Sequence, residues 1–182
     1  AHWRGHAGDA AAAAADYTEL VKDRDRVLGA DHSSTLSTRH NAAHWRGEAG
    51  DPAGATAAYI ELAKDRARLL GADHPDTLSA RHNAAHWRGH AGDAAAAAAD
   101  YTELVKDRDR VLGADHPDTL STRHEAAHWR GEAGDPAGAT AAFTELAKDR
   151  ARVLGRDHPA TVMSRQSATS WRRETRKQRR RP

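Results

Sequence analysis

The side chains best suited to chemistry in this sequence are its histidines, and they recur at a fixed spacing. His40-His44-Glu48, His82-His86-His90 and His124-His128-Glu132 each fall at i, i+4 and i+8, which puts each trio on one face if the segment is helical. Histidines four residues apart can share a transition metal. The pattern lacks the central glutamate of a zinc protease, so no resident metal and no other cofactor is expected. Asn41 and Asn83 follow two of these histidines directly, and Glu125 holds the third equivalent place. A carboxamide there can donate to and accept from a single peptide unit. Arg46, Arg88 and Arg130 each follow a tryptophan, with Arg39, Arg81 and Arg123 seven residues earlier. These cations are placed to stack on the indoles or to pair with acids of a neighbouring element.

Other chemistries are excluded by what is missing. The 182-residue sequence has no cysteine, which removes disulfides, thiolate metal sites and thiol nucleophiles. The glycine-rich segment Arg46-Gly-Glu-Ala-Gly-Asp-Pro-Ala-Gly54 lacks the lysine and hydroxyl of a phosphate loop and follows no strand signal. No serine, histidine and aspartate pattern points to an activated nucleophile, so the chain is not read as an enzyme. No apolar run approaches the roughly 20 residues that cross a bilayer, and no signal-peptide core is present.

What positions these residues is a repeat. The tryptophans stand at 3, 45, 87, 129 and 171, and His2, His44, His86 and His128 keep the same step of 42. Residues 1–42 match 85–126 at 39 of 42 positions, and 43–84 match 127–168 at 32 of 42, so two repeat types alternate with a superperiod of 84. A period near 42 without strand signals indicates stacked helix pairs. In one period, Asp51-Pro52 reads as a helix cap followed by proline at the first helical position. The second helix of the pair, helix B, then runs to about Leu70 and ends at Gly71 in a left-handed cap. Ala55, Ala58, Tyr59, Leu62, the stem of Arg66 and Leu69 follow one buried stripe. Pro75 opens the next helix A, which runs to about Ala91. Leu, Ile, Val and Phe supply only 20 residues against 41 alanines, so the chain is expected to pack through alanine, including the runs at 10–15 and 94–99.

The segment from His40 to Thr77, HNAAHWRGEAGDPAGATAAYIELAKDRARLLGADHPDT, resembles the 42-residue class of tetratricopeptide repeat found in kinesin light chains and many actinobacterial proteins. The features that carry the resemblance are the Gly50-Asp51 turn, small Ala43 and Ala55 at the helix crossing, aromatic Tyr59, and the Leu70-Gly71-x-Asp73-His74-Pro75 junction. The resemblance implies an all-α superhelical solenoid of antiparallel helix pairs, about nine helices, with four to four-and-a-half repeats over 1–171 and breaks near 8, 50, 92 and 134. It further implies that helices A line a concave groove and that an asparagine ladder there can hold an extended peptide. The candidate groove is therefore His40, Asn41, His44, Glu48, His82, Asn83, His86, His90, His124, Glu125, His128 and Glu132, with Trp45 and its equivalents in the core.

Charge is unevenly spread. Residues 172–182 carry seven basic residues and one acid, leaving the first 171 at 21 − 25, or −4. The basic end belongs to a polar capping helix over 159–182, in which Arg173, Arg176 and Lys177 replace the glycines and the aspartate of the turn. It does not make the body a nucleic-acid binder, and a nucleic-acid contact through the tail is only an alternative. The expected role is a protein- or peptide-binding scaffold, the C-terminal part of a larger, bacterial, cytoplasmic protein. Its expected ligand is a protein segment, acidic or extended, held more tightly near pH 6 if the groove histidines titrate near 6.5. The alternative is a self-associating array stacked head to tail through its repeat ends.

Overall fold

The computed structural model describes residues 9–178, and all regular structure among them is helical. Eight helices follow one another: α1 (Ala10–Leu28), α2 (Ser33–Glu48), α3 (Pro52–Leu70), α4 (Pro75–His90), α5 (Ala94–Leu112), α6 (Pro117–Glu132), α7 (Pro136–Leu154) and α8 (Pro159–Gln178). Helices α2, α4, α6 and α8 are the helices A of the repeat, and α1, α3, α5 and α7 the helices B. A ninth helix, expected around His2 and Trp3, lies outside the described residues, as do the break near 8 and Arg179 to Arg181.

Local chemistry sets each boundary. Asp9, Asp51, Asp93 and Asp135 cap the helices B by accepting from the backbone N–H three residues on. The helices A use histidine: the Nδ1 of His32, His74, His116 and His158 accepts from the N–H two residues later, at 3.1–3.2 Å. Gly71 ends α3 with φ +101 and ψ 156. That is the mirror-extended region rather than the left-handed cap expected from the sequence, and only glycine occupies it without strain.

The chain divides into two units, residues 1–92 and 93–182. In the first, α1 packs on α2, α2 on α3 and α3 on α4. Its core joins Leu36, Ala43, Ala55, Tyr59, Leu62 and Trp87. In the second, α5, α6, α7 and α8 pack in the same succession, around Leu120, Ala127, Phe143, Leu146 and Ala168. Of the tryptophans, Trp87 and Trp129 are buried as expected, whereas Trp45 and Trp171 are half-buried. Short connections and pairs such as Tyr59 with His40 and Arg46 with Asp51 make α2 and α3 antiparallel. Glycine on one helix A receives the indole of the next: a Cβ on Gly47 would stand 2.5 Å from Trp87, and one on Gly131 2.5 Å from Trp171. The alanine runs contribute less packing than the sequence suggests. Only Ala13 and Ala97 of their respective runs are buried, so the remaining alanines act mainly through helix propensity.

Candidate peptide-binding surface

Each histidine trio divides between two environments. An α-helix turns about 100° per residue, so each four-residue step drifts by about 40° and a trio sweeps about 80°. On α2, Asn41, His44 and Glu48 are exposed, whereas His40 is half-buried. Its ring meets Tyr59 of α3 edge-on at 5.0 Å, and its Nδ1 is buried without a hydrogen-bond partner. Burial, reinforced by the Arg66 guanidinium, lowers the His40 pKa to about 4. On α6, His124 repeats this: its ring meets Phe143 at 4.9 Å, and burial with Arg150 lowers its pKa to about 4. His82, at the equivalent place on α4, is also half-buried.

The remaining members lie further around the helices. On α4, His86 and Asn83 are half-buried and His90 is exposed. The His86 and His90 rings are 4.5 Å apart, and burial followed by His90 lowers the His86 pKa. Asn83 donates to the Ser79 carbonyl at 3.0 Å, leaving its own carbonyl oxygen to accept. His44 of α2 stands 6.3 Å from the Trp87 ring of α4, so in the first unit the stripes of α2 and α4 adjoin. In the second unit Glu125 and His128 are half-buried, Glu132 is exposed, and the His128 ring lies 6.3 Å from Trp171. The expectation that acidification makes the whole stripe positive is corrected here: His40, His86 and His124 resist protonation because burial disfavours the cation. Among the described residues no three histidines, aspartates or glutamates converge on a metal position.

The arginines beside the tryptophans tie successive helices together. Arg39 pairs with Asp65 at 2.7 Å and Arg123 with Asp149 at 2.8 Å. Arg46 pairs with the cap Asp51 at 2.5 Å, and Arg130 with Asp135 at 2.6 Å. Sequence reasoning used Arg66 only for its stem and missed its head group. Arg66, Arg108 and Arg150 are buried and donate to the carbonyls of Asp76, Asp118 and Ala160, each ten residues ahead. Each one fastens a helix B to the first turn of the next helix A. The signal was in the sequence, since an arginine at a stripe position in every period brings its donors inside the fold, where carbonyl acceptors must meet them.

The tetratricopeptide-repeat signature matches residues 35–76, 77–118 and 119–160. By structure, the chain is similar to the nearly identical TPR-like repeats of a kinesin light chain protein of Podosopora anserina. The TM-score is 0.82 at 21% identity, over 97% of this chain and 86% of that one. A point variant of that protein gives 0.83 at 21% identity over the same shares. BtubC (BKLC) from P. vanneervenii gives 0.68 at 17% identity, over 85% of this chain and 62% of that one. No curated protein sequence matches this chain. Among the described residues no helix is long and apolar enough to cross a membrane. The repeats of this class are non-catalytic and generally serve as protein-interaction scaffolds. With three consecutive 42-residue matches on helix pairs that fold as such repeats do, the chain belongs to the tetratricopeptide repeat family.

Proposed function

We propose that the chain is a binding scaffold whose helices A hold an extended protein segment, with the recognition face of the first unit made by Asn41, His44 and Glu48 of α2 and Asn83, His86 and His90 of α4. The observation that carries this reading is Asn41, an exposed carboxamide with no partner among the described residues, at the repeat position where Asn83 keeps its carbonyl oxygen open. Two such amides one repeat apart suit the alternating donors and acceptors of an extended backbone. Glu125, His128 and Glu132 of α6 form the corresponding face of the second unit, with His124 supporting it from beneath as His40 and His82 support the face of the first.

Charge refines the ligand. Glu48, Glu125 and Glu132 stand on these faces and His86 favours its neutral form, as do His40 and His124 beneath them, so the faces do not select an acidic segment. The ligand is an extended segment recognised chiefly through its backbone. The test is an array of nine-residue extended peptides of varied charge, the best binder then being titrated against the chain and its N41A/N83A/H86A/H90A variant. A loss of tenfold or more, with the helical melt nearly unchanged, is the expected result. Undiminished binding by the variant would overturn the reading.

A further inference from the structure

The same cleft recurs three times, twice with a following helix B along its far side and, among the described residues, once without. In the first unit a cleft of about 260 Å³ lies among α1, α2 and α3, with Ala42 and Ala43 in its floor and Arg39 and Arg46 on its rim. The second unit repeats it 84 residues on, at about 290 Å³, with Ala126, Ala127, Arg123 and Arg130. In both, the helix B that follows borders the far side. It supplies a small residue, Ala58 or Ala142, and carboxylates that neutralise both arginines, Asp65 and Asp51 or Asp149 and Asp135.

One repeat further, α7 and α8 form the corresponding cleft, now about 400 Å³, with Ala147, Ala151 and Ala168 in its lining and Arg156, Arg165 and Arg172 around it. Arg165 and Arg172 stand 42 residues after Arg123 and Arg130, yet neither has a carboxylate partner among the described residues. Arg165 instead donates to the Arg156 carbonyl. Among the described residues no helix follows α8 along this cleft as one does in the earlier repeats. Arg173, Arg176 and Lys177 occupy the places of Gly131, Gly134 and Asp135, and α8 continues to Gln178, four residues past the position where α6 stops.

We propose that the α7–α8 cleft is a docking site for an acidic amphipathic helix from a partner protein, with small residues on its contact stripe and two carboxylates fourteen residues apart. The two clefts bordered by a following helix B define that chemistry. Asp51 and Asp65, like Asp135 and Asp149, are separated by fourteen residues, which on an α-helix returns the side chain to nearly the same face about 21 Å further along. Desolvating two arginines against alanine favours a partner that returns two well-placed carboxylates. This surface is separate from the helix-A faces.

The probe is a fluorescein-labelled peptide with the sequence of residues 135–154, titrated into the full chain by anisotropy. Binding is expected, at least tenfold weaker in the R165E/R172E variant, whose two sites are exposed and whose circular dichroism is expected to match the parent. A peptide with arginine replacing both aspartates should bind that variant and not the parent. Failure to bind at millimolar peptide, or equal binding by parent and variant, would overturn the proposal. So would sedimentation showing that the chain fills this cleft with a second copy of itself, as an oligomer that R165E/R172E disperses.

Discussion

His40 and His124 are ordinary histidines made unusual by two neighbours, an aromatic ring beneath and a buried arginine beside. Both effects disfavour the imidazolium, and burial is the larger. The linkage has a definite sign. The unfolded chain takes up these protons near pH 6.5 and the folded chain only near 4, so below pH 6.5 the unfolded state binds more protons and stability falls as pH falls. Below about 4 both states are protonated and this contribution is flat. Both rings are half-buried, so solvent screening keeps the loss per histidine to about 2 kcal/mol, less than the full 1.36 kcal/mol per pKa unit. Urea melts at pH 7, 5.5 and 4 should show the decline. H40F/H124F, which keeps a ring against Tyr59 and Phe143, should flatten most of it, and an unaltered acid limb would refute the assignment.

Between elements, the tightest fit is a glycine of one helix A beneath a tryptophan of the next. At Gly131 two effects of known size compete. Alanine in an exposed helix interior gains about 1 kcal/mol over glycine, but here its Cβ would lie 2.5 Å from the Trp171 ring. Displacing that ring costs about 1–3 kcal/mol, so Gly131→Ala should destabilise the second unit. In a Trp171→Leu background the same change should become neutral or stabilising, and a double-mutant cycle measures the coupling directly. A coupling near zero would mean that the indole yields freely. The buried arginines act at this scale too: Arg150 alone bonds Leu120, Ala160 and Ser164 and so joins α7 to both helices A that flank it in sequence.

For the molecule as a whole, stability in repeat arrays is close to a sum of local terms, and the cores here follow that rule. Leu120, Ala127, Phe143, Leu146 and Ala168 all lie within 93–182, and the cluster around Tyr59 lies within the first unit. A fragment of residues 93–182 should therefore show strong helical circular dichroism and a cooperative thermal melt without the first unit. A shallow, non-cooperative melt would contradict that expectation. At this scale the chain belongs to a family whose repeats generally serve as interaction scaffolds, and the helix-A faces and the cleft on α7 and α8 are its proposed binding surfaces.

The sequence by itself determined the helices and their phase. The Asp51-Pro52 start, the stop at Gly71, the Pro75 start and the end near Ala91 agree with the observed helices to within about a residue, because caps and breakers act on neighbouring backbone. Tertiary structure decided which member of each histidine trio reaches solvent. It also decided that the histidine before each helix A serves as its cap, and that Arg66 and its equivalents bury their heads as well as their stems. Among the described residues it set a following helix B beside two of the three clefts and none beside the one on α7 and α8. Those outcomes depend on what the next helix brings to within a few ångströms, and helical spacing along one chain segment carries no information about its neighbour.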